Sequence, residues 1–179
     1  MQTISIDQMK QLITHVGIRK RRPLMFWGSF GVGKTQGVEQ SALENDAVLC
    51  DVRLGQYDSV DIRGFPGVHK ETGQTVWHPP STLPFKGNPH FDEDKGLIYL
   101  FFDEANAAQQ SVLGVAMQIT NERRCGEHLL MDNVIIILAG NREQDRGVTN
   151  RMPMPLLNRL CQAEVQHDIK SWSSWMMRS

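Results

Sequence analysis

The tightest constraint in this sequence is a short join. The apolar run Leu24-Met-Phe-Trp27 leads directly into Gly28, Ser29, Phe30, Gly31, Val32, Gly33, Lys34 and Thr35, and residues 35–43 follow with the composition of a helix. A strand, a turn matching GxxxxGK[ST] and a helix, in that order, make a cradle for phosphate oxygens. Backbone N–H groups of such a turn point inward and its glycines let the backbone come close. The helix N-terminus adds the positive end of its dipole. Lys34 is placed to reach β- and γ-phosphates and Thr35 to ligate magnesium. All eight residues of the turn are therefore expected to bind a nucleoside triphosphate.

Further apolar runs at 48–53, 97–102, 134–139 and 162–165 read as strands. A helix is expected over 105–120. Another is expected over 5–16, where Ile6, Met9, Leu12, Ile13 and Val16 recur on one face, with Ser5 as its N-cap and Gly17 as its stop. Near-continuous apolar strands alternating with helices predict an α/β domain, a five-stranded parallel sheet with helices on both faces. Two stretches interrupt the alternation. Residues 58–94 carry glycines, prolines and the isolated patch Thr75-Val-Trp77, and 123–131 place Cys125-Gly-Glu127 between short extended pieces. Both are expected to be hairpin insertions.

Three other signals lie at strand ends. Leu97-Ile-Tyr-Leu-Phe-Phe runs into Asp103-Glu104. In open α/β sheets ligands sit at the carboxyl ends of strands, so Asp103 is placed in a magnesium shell and Glu104 beside an attacking water. An acidic pair there would also suit the start of the following helix. Ile135-Ile-Ile-Leu-Ala-Gly ends in Asn141, an amide at the same edge, placed to hydrogen-bond the water or the γ-phosphate; an Asn in a strand-ending turn is also common. Arg159, in Pro155-Leu-Leu-Asn-Arg-Leu, is a candidate for stabilising charge on phosphate, with Arg151 a second one, and a surface salt bridge is the plain alternative for each. A carboxylate pair in which Glu follows Asp points to hydrolysis. No Asn-Lys-x-Asp guanine motif is present, which favours ATP over GTP.

Composition narrows the class. Of 179 residues, 40% are hydrophobic and 22% charged, a globular balance. No apolar run reaches the roughly 18 residues of a membrane span, and the N-terminus lacks the basic and apolar pattern of a signal peptide, so the chain is expected in the cytoplasm. Formal net charge is −1, which makes nucleic acid an unfavoured partner. The basic run Arg19-Lys-Arg-Arg22 reads first as a solvated loop. Cys50, Cys125 and Cys161 are odd in number and far apart, which fits a reducing compartment.

Together these signals resemble the AAA+ ATPases, and more narrowly their MoxR-like branch near the dynein-related group. The turn at 28–35 looks like Walker A, 97–104 like Walker B, Asn141 like sensor 1 and Arg159 like the arginine finger. Asp51-Val-Arg-Leu-Gly-Gln-Tyr-Asp-Ser-Val-Asp-Ile-Arg-Gly with Val76-Trp-His-Pro-Pro resembles the helix-2 insertion region. Arg123-Arg-Cys-Gly-Glu-His-Leu-Leu resembles the hairpin before sensor 1. Ala139-Gly-Asn-Arg-Glu-Gln-Asp-Arg with Asn150-Arg-Met-Pro looks specifically MoxR-like.

The resemblance implies a P-loop NTPase three-layer sandwich over residues 1–170, with ATP and Mg2+ as ligands. It further implies a homo-oligomeric ring, a hexamer, closed through the Arg159 face and acting to remodel or assemble a partner protein. Residues 171–179 read as the start of a C-terminal helix or of a truncated lid, with Trp172, Trp175 and Met176 on one helical face. A lid is expected to be absent, and ATPase activity to be weak without it. Two other functions fit the same motifs: a nucleotide-regulated scaffold with little turnover, and a DNA-directed AAA+ loader.

Overall fold

The computed structural model describes residues 1–142 and 152–166. Arg151, Trp172, Trp175 and Met176 lie outside them. The apolar runs form β2 (Leu24–Trp27), β3 (Ala47–Arg53), β6 (Leu97–Asp103), β9 (Val134–Gly140) and β10 (Cys161–Val165). The sheet has six strands rather than five. β1 (Gln2–Ile4) pairs in parallel with β10, Gln2 opposite Ala163 and Ile4 opposite Val165. Three residues are too few to show a period in sequence. The order is β1-β10-β2-β9-β6-β3, and all five pairings are parallel. Every residue of the central β9 is buried, whereas β3 at one edge alternates.

Helices cover both faces. On one lie α1 (Ile6–Leu12), a π-helical continuation (Ile13–Ile18) and α2 (Lys34–Glu44), packed with Phe26, Tyr99, Phe101, Ile135 and Ile137. Ser5 caps α1 through a capping box with Gln8. Gly17 does not stop the helix. It is buried within the π-helical turn, where a Cβ would come 3.1 Å from Leu24 Cδ1 and 3.2 Å from Ile135 Cγ2. The glycine is there for close packing on the sheet.

On the other face α4 (Gln110–Glu122) and α5 (Met154–Leu157) pack with Leu100, Phe102, Ile136 and Leu138. α4 begins five residues later than the sequence suggests, because Glu104 takes a left-handed conformation and Ala105–Ala107 form a 3-10 turn. The two insertions are hairpins: β4 (Phe65–Val68) with β5 (Thr75–His78), and β7 (Arg124–Cys125) with β8 (His128–Leu129). The first follows α3 (Ser59–Arg63), whose Arg63 guanidinium sits 4.8 Å over the Trp77 ring. Burial pushes the Cys50 thiol up to about 12, so it behaves as a small apolar side chain.

Candidate functional site

Strand order decides which strand ends meet. β9 lies between β2 and β6, so Asn141 emerges between the glycine-rich turn and the Asp103-Glu104 pair. The turn itself is shaped by backbone. Gly31 has φ +72° and Gly33 φ +95°, the left-handed region that glycine enters without penalty. Gly28 is fixed by space: a Cβ there would lie 2.6 Å from the carbonyl oxygen of Val165. Its N–H donates to Gly140 O at 3.3 Å, tying the turn to the end of β9. Val32 is buried against the sheet and Phe30 is exposed, leaving the arch of the turn open outward. Ser29 Oγ accepts from the Arg142 guanidinium, which also pairs with Glu164 at 2.9 Å.

Lys34 is 8% exposed, unusually buried for a lysine. Its ammonium donates to Gly28 O at 2.8 Å, Ser29 O at 3.0 Å and Asn141 Oδ1 at 3.1 Å. The side chain is therefore folded back along the turn with its charge held at the turn's centre. The next residue, Thr35, donates its hydroxyl to Asp103 Oδ2 at 2.7 Å. A hydroxyl and a carboxylate in contact are hard oxygen donors of the kind magnesium takes, and magnesium characteristically uses one or two protein ligands plus phosphate and water. Among the described residues no cluster of three or more His, Cys, Asp or Glu is placed to hold an ion by itself. The Thr35–Asp103 pair fits a magnesium ion that arrives with a phosphate chain.

Asp103 Oδ1 accepts from the N–H of Glu104 at 2.8 Å. Glu104 itself has φ +52° and ψ +35°, an uncommon conformation for a non-glycine residue, with an expected cost of about 1–3 kcal/mol. This backbone turn separates the two carboxylates: Asp103 stays buried against Thr35, while Glu104 is half-buried with its Oε2 beside Gly55. A Cβ on Gly55 would come within 3.5 Å of that oxygen.

Asn106 is a residue that sequence reasoning passed over. It is 2% exposed, and its amide makes a reciprocal pair with the backbone of Asn141. Nδ2 donates to Asn141 O at 2.7 Å and Oδ1 accepts from Asn141 N at 3.0 Å. Asn141 in turn accepts from Lys34, so one hydrogen-bonded chain crosses from β6 through β9 to α2. The available signal was an Asn three residues after an Asp that ends a buried strand. It was masked because Asn is also a common turn residue.

Arg159 is placed elsewhere. It lies exposed between α5 and β10, at the end of the sheet where strands begin. Cys161 N donates to Pro23 O there at 3.0 Å, while the turn at 28–35 leaves the far end of β2, a strand of about 13 Å. The structure thus groups Lys34, Thr35, Asp103, Glu104 and Asn141 and sets Arg159 at the opposite pole. Arg151 lies outside the described residues.

Asp51, on β3, has its carboxyl held above the ordinary range, first by burial and then by the charge of Asp103, with Arg53 pulling the other way. The negative charge of the site therefore reaches the sheet edge.

No family model matches the sequence, and no curated protein matches it. Solved structures do. One is the "putative ATPase" of Cytophaga hutchinsonii ATCC 33406, with a TM-score of 0.64 and 17% identity, covering 96% of this chain and 49% of that one. The chain spans about half the length of that neighbour. At this identity the likeness establishes the fold alone, an α/β sandwich around a parallel sheet. Among the described residues no helix is long and apolar enough to cross a membrane.

Proposed function

We propose that this chain is an ATP-binding and ATP-hydrolysing module of the AAA+ type, of the MoxR-like branch, working in a head-to-tail ring on a partner protein. The observation that carries the chemistry is the contact of Thr35 with Asp103, beside a lysine buried at the centre of a glycine-rich turn. Lys34 would exchange its carbonyl partners for β- and γ-phosphate oxygens. Thr35 and Asp103 would hold the magnesium ion. That ion supplies charge neutralisation between the phosphates. Glu104 would accept the proton of the attacking water, and Asn141, fixed by Asn106, would orient that water or the γ-phosphate. Arg159 stands too far from its own turn to reach the same phosphates and would act on those of a neighbour. The neighbour's name and the MoxR-like motifs support the ATPase reading; the ring and the protein substrate rest on the sequence resemblance.

The test is a pair of substitutions. Lys34→Ala removes the principal cation and is expected to weaken Mg-ATP binding about 10²-fold, the scale of a lost charge-assisted contact in a desolvated site. Glu104→Gln keeps the shape but cannot take a proton, so it should retain binding and lose about 10²–10⁴-fold in turnover. Calorimetry reads the first and phosphate release the second. Unchanged binding in Lys34→Ala would sink the phosphate-loop reading; unchanged turnover in Glu104→Gln, with an active parent, would remove Glu104 as the base.

A further inference from the structure

Trp27, the last residue of β2, stands opposite Gly140 of β9 on one side and Glu164 of β10 on the other. The glycine-rich turn leaves the sheet at this point. Arg142, two residues past Gly140, reaches over it. Its guanidinium donates to Ser29 Oγ and, through Nη1, to Glu164 Oε1 at 2.9 Å. The side chain thus runs from the end of β9 across the end of β2 to β10. It straps down the strand that feeds the turn.

Two features separate this strap from an ordinary surface ion pair, which is worth little. One is burial: the side chain of Glu164 is 20% exposed and that of Arg142 33%. The other is the place of the carboxylate. It lies at the carboxyl end of the sheet, where the ATP-binding reading puts an anionic phosphate chain. An unpaired carboxylate there would oppose that chain, and the guanidinium offsets it. The planar fork of arginine also suits two acceptors at once, which the point charge of lysine does not.

Ser29 links the strap to the chemistry. Its side chain accepts from Arg142, and its backbone carbonyl accepts from Lys34 Nζ at 3.0 Å. One residue earlier, Gly28 N donates to Gly140 O at 3.3 Å. Two successive residues at the root of the turn are therefore tied to the segment that ends in Arg142. Past them the turn has little to shape it. Phe30 is exposed, and among the described residues a Cβ on Gly31 would meet no atom within 4 Å. A loop that must present its N–H groups in one geometry binds more tightly when that geometry exists beforehand.

We propose that Arg142 is a positioning residue of the phosphate-binding turn: clamped by Glu164, it holds Ser29 and so sets the arch that receives the β- and γ-phosphates. The proposal rests on the ATP-binding reading for the identity of the ligand. Arg142 acts through Ser29 and not by touching phosphate.

The first arm of the test needs no nucleotide. Amide hydrogen exchange is followed in the full chain for the parent, Arg142→Gln, Ser29→Ala and Glu164→Gln, with matched thermal melts. Each substitution is expected to speed exchange at residues 29–34 about tenfold while β6 keeps the parent's rates. Unchanged exchange in the turn of Arg142→Gln would overturn the proposal. So would acceleration spread evenly over the sheet, which reports a general loss of stability. The second arm measures Mg-ATP affinity by calorimetry and turnover by phosphate release. Arg142→Gln should weaken affinity about tenfold and leave kcat within about twofold, the mark of lost uniform binding. Adding Ser29→Ala to it should cost little more, because both remove the same contact. Additive losses, about a hundredfold together, would mean that Arg142 meets the phosphates itself and would overturn the positioning role. A parent that binds no ATP would defeat the ATPase reading, and the exchange arm would still decide the strap.

Discussion

At the carboxyl ends of the strands, Lys34 is almost fully buried and its ammonium is held by two carbonyl oxygens and the Asn141 amide. At the amino ends, Arg21, Arg22 and Arg159 stand exposed around a concavity with no acidic residue in its wall. The two poles belong to the same strands, so the difference is not one of stability or depth in the core. It lies in where the compensating groups come from. Residues 28–34 supply two of the three acceptors of Lys34 within one turn of chain, and that pole is pre-organised largely by local sequence. The other pole gathers residues from positions 20–22, 123 and 159, and its compensation has to arrive from outside. A site complete by itself can bind; a site lacking counter-charge can only respond to something brought to it.

The sharpest way to break this comparison is at Arg159. If the poles act on different molecules, Arg159→Ala should leave ATP affinity unchanged while turnover per subunit falls about 10³-fold or more and loses its rise with protein concentration. Phosphate release over a dilution series measures this, and turnover independent of concentration in a monomeric parent would end the trans assignment. Next comes Asn106→Ala, which strips partners from the buried N–H and C=O of Asn141. A loss of about 2–4 kcal/mol in stability is expected, read from the denaturant midpoint, together with weakened ATP binding. No loss would mean that the loop pole is less closed than its hydrogen bonds indicate. The smallest effect is at Asp51. Its carboxyl titrates above the ordinary range in the fold, so stability is fullest below the unfolded-state range of Asp and declines as pH rises through the raised value. Asp51→Asn, which never ionises, should flatten that decline and modestly favour the fold at neutral pH. Parallel melting curves across pH 3–7 would show it, and identical slopes in parent and variant would refute it.

What was legible in the sequence follows from the same contrast. The turn at 28–35 and the strands feeding it could be read because their signal is local: an unbroken apolar run, then a fixed spacing. β1 escaped because three residues carry no period. Gly17 has the local look of a helix stop, but its reason is the nearness of Leu24 and Ile135, which no local pattern reports. α4 starts later than its sequence suggests because the backbone reversal at Glu104 falls in ordinary helix-forming sequence. Arg19-Lys-Arg-Arg22 read as a solvated loop for a related reason: Arg123 and Arg159, which turn part of it into one wall of a cavity, are about a hundred residues or more further along the chain. Asn106 carries no signal of its own in the sequence, because its importance depends on β6 and β9 being neighbours.

The close approach of α1 to α2 has a mechanical consequence. A Cβ on Gly37 would lie 2.3 Å from Met9 Cε and 3.2 Å from Ile6 Cγ2, and on Gly33 the nearest atom would be Ile6 Cδ1 at 3.6 Å. The first helix is thus pressed against the root of the turn that carries Lys34, with no slack between them. Through Ser5 and Ile4 it continues into β1, and β1 is clamped to β10. A load applied to α1 would reach the turn through these side chains, as through a tappet. The stiffness of the turn is therefore set in part by side chains about twenty positions before it.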